Sequence, residues 1–302
     1  MKRIFGFLLI FLMLLAASQA ESRVASVYHA PSESKAPFFE VPTLTESPFD
    51  QGEDLLRVDF INIKVGDAIL IRSGGESMLV DGGSKGREAM VKIFLAQEGI
   101  TGFTYYMNTH YHDDHIQGAT RLLKEGYLAK EFLGRHQRDS KNEDMMALIA
   151  VTEQMAVPYR QVFSGETVRL GNAVITFLQD TRVIKGNVNA NSMMLHIRFG
   201  GRSILLPADV TGSSLTVVSE QYPDYMDVDI MKSPHHGINR LRHEFLLATS
   251  PEVFVITSNM GGGTNLATQL KNNKLPHYFI SMGTVSATTN GETWFISQAR
   301  VQ

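Results

Sequence analysis

The feature that most restricts the fold is one run of eight residues, Asn108-Thr109-His110-Tyr111-His112-Asp113-Asp114-His115. It places His110, His112, Asp114 and His115 within six positions. The β-type stretch Phe103–Met107 precedes it, and helical spacing over Gly118–Lys124 follows. A loop pinned between a strand end and a helix start fans its side chains toward one spot. His110 and His112 can then address one cation, and Asp114 and His115 a second. A merely solvated loop would crowd three imidazoles and two carboxylates together, with repulsion on protonation and no return. Imidazole and carboxylate suit zinc, with manganese or iron also compatible. The chain has no cysteine, so thiolate metal sites, a cysteine nucleophile and a disulfide framework are all excluded.

The flanks divide into three stretches. Met1-Lys2-Arg3, an apolar run from Ile4 to Leu15 and the exit Ala16-Ala17-Ser18-Gln19-Ala20 read as a signal peptide cut before Glu21. The expectation is a secreted or periplasmic protein with no membrane-spanning segment after removal of residues 1–20. That removal leaves 26 basic and 31 acidic residues, which argues against a surface coated with phosphate-binding charge. Residues 21–54 carry scattered prolines and no periodicity, as in a linker or lead-in. From residue 55 to 302 short β-type runs alternate with helical patterns, as in one domain of two packed sheets with helices outside. Strands are expected at 55–63, 67–73, 76–80, 173–178, 193–199, 203–206, 228–231, 253–256, 278–281 and 293–296. Helices are expected at 85–97, 142–154, 214–220, 242–247 and 265–271.

Three further motifs follow strands in the right order: Val80-Asp81-Gly82-Gly83, Pro207-Ala208-Asp209 and Ser233-Pro234-His235-His236-Gly237. Together with the histidine cluster they resemble the metallo-β-lactamase superfamily, from about residue 55 to residue 296. The resemblance implies an α+β chain folded as a four-layer αββα sandwich that binds two divalent cations. It implies His110, His112, Asp114, His115, Asp209 and His236 as metal ligands, with Asp209 bridging and Asp81 an additional candidate. Asp114 would also accept a proton, and His235 would face the substrate as a proton donor. His235 and His236 could exchange these roles. Ions so held would acidify a water and polarise the scissile group.

A narrower likeness rests on Phe60-Ile61-Asn62-Ile63-Lys64-Val65-Gly66-Asp67-Ala68-Ile69, Asn191-Ser192-Met193-Met194-Leu195 and Lys232-Ser233-Pro234-His235-His236-Gly237. These are similar to the soluble domain of ComEC-type DNA-uptake proteins, and the double histidine also to bacterial surface phosphocholine esterases. Most of the superfamily has another histidine ligand between the cluster and the bridging aspartate, where this chain has Asn189-Ala190-Asn191-Ser192. The departure speaks against β-lactamase chemistry and leaves two-cation hydrolysis intact. The leading expectation is an exported phosphodiesterase acting on a small phosphodiester or a polymer, with nucleic acid a candidate substrate. The alternatives are a carboxylic ester, lactone or amide hydrolase, and a non-catalytic binding protein on the same fold.

Other polar residues read as structural. Asp113 is expected to cap the following helix, Asn108 and Thr109 to brace the loop, Asp67 to serve a turn and Lys232 to lie in solvent. His196 sits in an alternating strand and reads as packed. His29, His136, His243 and His277 have no partner at ligand spacing. Gly261-Gly262-Gly263 reads as a turn that could approach an anion.

Overall fold

In a computed structural model, placement is described for residues 23–26, 48–49 and 54–299, apart from 65, 136–140, 183 and 259–263. The expected signal peptide, His29, His136 and the triple glycine lie outside these residues.

The period-two pattern Met194-Leu195-His196-Ile197-Arg198-Phe199 shows how the layers arise. Leu195, Ile197 and Phe199 join a core between two sheets, while Met194 faces a second core beneath helices. The strands are β1 (Arg23–Ser26), β2 (Leu56–Phe60), β3 (Ile69–Ser73), β4 (Glu76–Val80), β5 (Gly102–Asn108), β6 (Leu128–Gly134), β7 (Tyr159–Gln161) and β8 (Thr167–Leu170). They continue with β9 (Ala173–Leu178), β10 (Met194–Phe199), β11 (Arg202–Leu206), β12 (Ile230–Lys232), β13 (Val253–Ile256), β14 (His277–Phe279), β15 (Val285–Thr289) and β16 (Trp294–Ala299). The helices are α1 (Glu88–Gln97), α2 (Asp113–Lys124), α3 (Glu143–Gln154), α4 (Ser213–Gln221), α5 (His243–Thr249) and α6 (Asn265–Asn272).

One sheet runs β1-β16-β15-β2-β3-β4-β5-β6-β7 and the other β14-β13-β12-β11-β10-β9-β8. Val58, Ile71, Ile175, Ile204 and Val253 fill the space between them. Leu122 of α2 and Leu148 of α3 pack with Leu79, Tyr106 and Phe132 on the outer face of the first sheet. Val218, Phe245 and Leu270 of α4 to α6 do the same with Leu205, Met231 and Phe254 of the second. Each such fully buried side chain contributes on the order of 2 kcal/mol. The architecture is the expected four-layer α+β sandwich.

Several boundaries differ from expectation. Helix α2 begins at Asp113, inside the histidine cluster, and not at Gly118. The strand expected from Asp67 begins at Ile69, which frees Asp67 for a loop. Strands β6, β7, β8 and β15 carry no strong sequence signal; β6 reads Leu-Ala-Lys-Glu-Phe-Leu-Gly, a helix-compatible string held extended by parallel pairing to β5 and β7. Within the lead-in, Arg23–Ser26 pairs antiparallel with β16. No helix among the described residues is long and apolar enough to cross a membrane.

The topology fixes the site. Strands β4 and β5 run parallel in one sheet, and β11 and β12 run parallel in the other. The carboxyl ends of these four strands lead into Asp81, His110, Asp209 and His235-His236. Open parallel sheets characteristically place their ligands at such ends.

Candidate metal centre

Asp81 follows β4 with φ 56°, and both of its carboxylate oxygens are occupied. Asn108 Nδ2 and the Thr109 amide donate to Oδ1, each at 2.9 Å. Thr109 Oγ1 donates to Oδ2 at 2.7 Å, and His115 Nδ1 lies 2.8 Å from the same oxygen. Asp81, expected as an additional candidate ligand, thus has both oxygens engaged by hydrogen bonds. It stands behind His115, fixing the proton on Nδ1 so that Nε2 faces the centre. Asp67, Asp81 and His115 do offer oxygens and a nitrogen within 4.8 Å of one another, but Oδ2 of Asp81 is committed to His115.

The first turns of α2 lie against the loop after β4 at backbone distance. A side chain on Gly118 would meet Gly82 O at 1.8 Å, and Gly82 N donates to His115 O at 2.9 Å. This close approach aims Asp114 and His115 from the helix's first turn. Asp113 is exposed at the first helical position, and the N-cap residue is His112. Asp113 thus favours the helix through its charge and not as a side-chain cap.

Asp209 is the hub. Its Oδ2 lies 3.3 Å from His115 Nε2, 3.3 Å from His236 Nε2, 3.9 Å from His110 Nε2 and 4.0 Å from His235 Nε2. His112 Nδ1 is 3.2 Å from His110 Nε2, and Asp114 Oδ2 is 3.4 Å from His236 Nε2. The structure thus brings His110, His112, Asp114, His115, Asp209 and His236 together from three separate stretches of chain. His236 is buried among these groups, whereas His235 is 25% exposed at their edge. Asn189 Nδ2 lies 3.2 Å from its Nε2 and Asn239 Nδ2 lies 3.3 Å from its Nδ1.

Two residues set aside in the sequence belong to this centre. Asp67 is buried, its Oδ1 3.4 Å from His236 Nδ1 and its Oδ2 paired with Lys232 Nζ. Lys232 is 0% exposed, donates to Ala208 O at 3.0 Å and lies 3.5 Å from Asp209 Oδ1. The expected turn role and solvated lysine are both corrected: Gly66, at φ 92°, abuts the backbone of Asp114 and carries Asp67 inward. Thr257, 3.2 Å from His236 Nδ1, has no local sequence signal, and Asn189, marked in the sequence only as part of the block without a histidine, faces His235. His196 packs edge-on against Tyr225, ring centroids 5.2 Å apart, on the outer face of its sheet.

The electrostatics fit a cation centre. Burial opposes charge on His115, yet Asp209 and Asp81 push its pKa up to about 10. His236 is raised well above the ordinary value by Asp209 and Asp67 against burial. Burial and the His115 charge hold His110 well below that value. Burial works against the Asp114 charge, but His236 and His115 bring its pKa down to about 2. His115 Nε2, His236 Nε2 and Asp209 Oδ1 are buried without a hydrogen-bond partner. Two partnerless imidazole nitrogens converging on one carboxylate oxygen are what divalent cations with nitrogen and oxygen ligands require. Ala208, His235 and His236, like Asp81, hold positive φ without being glycine. Such backbone strain, of order 1–3 kcal/mol per residue, gathers where function over-determines the chain.

The sequence profile of the metallo-beta-lactamase superfamily matches residues 62–253. The chain belongs to the metallo-beta-lactamase superfamily. Among solved structures it is similar to the metallo-beta-lactamase fold protein YhfI from Bacillus subtilis, at 16% identity and TM-score 0.53, over 75% of this chain and 96% of that one. It is also similar to CmlA, a diiron beta-hydroxylase from Streptomyces venezuelae, at 16% identity and TM-score 0.52, over 80% of this chain. There it spans 55% of the hydroxylase, about half its length. A comparison with curated proteins finds no significant match. At these identities the structural likeness establishes the superfamily's fold, and the chemistry must come from the site.

Proposed function

We propose that this metallo-beta-lactamase-fold protein is an exported hydrolase that cleaves a phosphodiester with the help of two divalent cations, zinc or manganese. The observation that carries the reading is Asp209 Oδ2 surrounded by four imidazole nitrogens within 4.0 Å, one of them on the partly exposed His235. His110, His112 and Asp209 would hold one cation, and Asp114, His115, Asp209 and His236 the other. The cations supply Lewis acidity and a lowered pKa for water at the site.

The chain's own groups favour an anionic substrate. Asp67, Asp81, Asp114 and Asp209 carry four negative charges and Lys232 one positive charge. With two dications and neutral ligand histidines, one positive charge remains, which a phosphodiester monoanion neutralises. The acidic mature chain fits a small phosphodiester better than long DNA. The ComEC-like motifs and the asparagine block at 189–191 support placing the chain in that subgroup. A neighbour named as a hydroxylase shares the fold, so the fold alone does not select hydrolysis.

His235 supplies the proton. Asn189 Nδ2 and Asn239 Nδ2 hold the ring from its two nitrogens, and its Nε2 lies on the side of Asp209. Asp114, with one oxygen toward His236 and partial exposure, accepts the proton released by water.

The test is hydrolysis of bis(p-nitrophenyl) phosphate, an alkyl phosphodiester and plasmid DNA, each with zinc or manganese. Turnover of at least one phosphodiester, lost on chelation, is expected. Hydrolysis of a lactone or β-lactam with all three phosphodiesters untouched would reverse the assignment to the carboxylic-ester alternative. Chelator-insensitive folding with no turnover on any substrate would favour the binding protein. His235→Gln should cost roughly 10²- to 10⁴-fold on the alkyl ester and far less on the nitrophenyl ester, whose leaving group needs no proton.

A further inference from the structure

A buried ammonium beside a cluster built for cations is electrostatically paradoxical. Lys232 lies on the last residue of β12, two positions before Pro234, and none of its side chain reaches solvent. It adds positive charge to a pocket that the preceding reading fills with dications. Burying a lysine costs several kcal/mol unless partners compensate fully. Its partners are Asp67 Oδ2, Asp209 Oδ1 and the Ala208 carbonyl.

These contacts connect the two ligands that close the second half of the centre. Asp209 turns Oδ1 toward Lys232 and Oδ2 toward the imidazoles. Asp67 turns Oδ2 toward Lys232 and Oδ1 toward Nδ1 of His236. The ammonium thus occupies the one face of the Asp209 carboxylate that would otherwise be free to swing toward the cluster. Asp67 stands behind His236 more loosely than Asp81 stands behind His115: its Oδ1 lies 3.4 Å from Nδ1 without a hydrogen bond and shares that nitrogen with Thr257 Oγ1 at 3.2 Å, against 2.8 Å for Asp81. The two also differ in their partners: Asp81 is satisfied by Asn108 and Thr109, neutral donors, whereas Asp67 is balanced by a charge that also touches the hub.

We propose that Lys232 and Asp67 form a positioning pair for the metal centre, in which the ammonium holds Asp209 to a single-oxygen presentation and Asp67 orients His236. This rests on the proposal that the centre binds two cations. It assigns work to a lysine that neither the ligand set nor the proton donor needs. It also gives a reason for the Gly66 contact with Asp114, which delivers Asp67 to the pair.

The experiment titrates cobalt(II) into metal-free full-length protein, reading the visible absorption of each equivalent, and records thermal unfolding of the same metal-free samples. Lys232→Met leaves Asp67 buried without its cation, and both melting temperature and cobalt affinity should fall. The double variant Asp67→Asn with Lys232→Met removes both charges. It should recover most of the melting temperature while its cobalt affinity stays roughly 10- to 100-fold weaker, with an altered spectrum. A purely structural ion pair predicts that affinity and spectrum recover together with stability, and that result would overturn the proposal. So would a double variant that remains unfolded, because the pair would then serve the fold. Wild-type protein that fails to take up two equivalents would instead sink the two-cation reading itself, and the positioning role with it.

Discussion

Asp209 and Asp229 sit at opposite ends of the same two parallel strands, and both are buried. Asp229, just before β12, is fully satisfied. Its Oδ1 accepts from Arg202 Nη1 at 3.1 Å, and its Oδ2 accepts from the Ser203 amide at 2.8 Å and Trp294 Nε1 at 3.1 Å. Trp294 belongs to the other sheet, so this carboxylate ties the sandwich together. Asp209, after β11, has Oδ1 only 3.5 Å from the Lys232 ammonium and without a hydrogen bond, and Oδ2 among imidazoles that do not bond it well. A carboxylate retained for folding has its lone pairs used, whereas one retained for a cation is left waiting. The same distinction separates the structural from the functional pole of this sandwich.

Neutralising each aspartate in turn should separate the two poles most widely. Asp209→Asn should lower turnover by roughly three orders of magnitude, about 4 kcal/mol of transition-state stabilisation. The metal-free melting temperature should fall only modestly, because His115 and His236, which the Asp209 charge holds protonated, can release their protons. Asp229→Asn should do the reverse. It strands Arg202 and should cost about 3–5 kcal/mol of stability, with activity per folded molecule retained. Denaturant unfolding and kcat on the soluble fraction read both quantities. Equal losses of stability in the two variants would end the distinction.

How much of this was legible in the sequence divides along the same line. The candidate ligands His110, His112, Asp114, His115, Asp209 and His236, which the fold brings together, could be named because they cluster or sit in short motifs at strand ends. Long strands with clear alternation, such as β9 and β10, were also legible. Asp67 and Lys232 were not, because a glycine turn and a strand-end lysine look solvated until tertiary contact buries them. Asp81 was legible as a site residue but not as a support. Only its four hydrogen bonds, to Asn108, Thr109 and His115, show that its oxygens are committed. Strand β15 was missed because Val-Ser-Ala-Thr-Thr has little apolar signal, although β2 and β16 pair it on both sides.

Histidines extend the comparison with a smaller effect. His196 serves the fold: burial, and secondarily Arg198, lowers its pKa to about 4 from an ordinary 6.5. Between those values the unfolded chain binds the proton and the native chain does not. Stability is therefore full above about pH 6.5, falls as pH drops toward 4 and levels off below, a loss of about 3 kcal/mol. His196→Phe should flatten that segment of the stability profile, measured by urea unfolding from pH 7.5 to 4. An unchanged slope would mean that another group carries the acid sensitivity.

The smallest expected effect tests the boundary between the two kinds of carboxylate. Asp81 is saturated with hydrogen bonds like Asp229, yet one of its partners is the candidate ligand His115. Asp81→Asn can keep an oxygen for Asn108 and Thr109, but its amide nitrogen would then face His115 Nδ1. That nitrogen must accept, so the ring proton moves to Nε2, the atom that points at Asp209 and that a cation needs free. The variant should therefore fold with nearly normal stability and bind its cations roughly 10- to 100-fold more weakly, measured by competition with a chromophoric chelator. Asp81→Glu, which keeps the charge and displaces it, should fall between. If Asp81→Asn binds cations as tightly as the parent and melts lower, then Asp81 belongs with Asp229. The support of His115 would in that case be a by-product of packing at the end of β4.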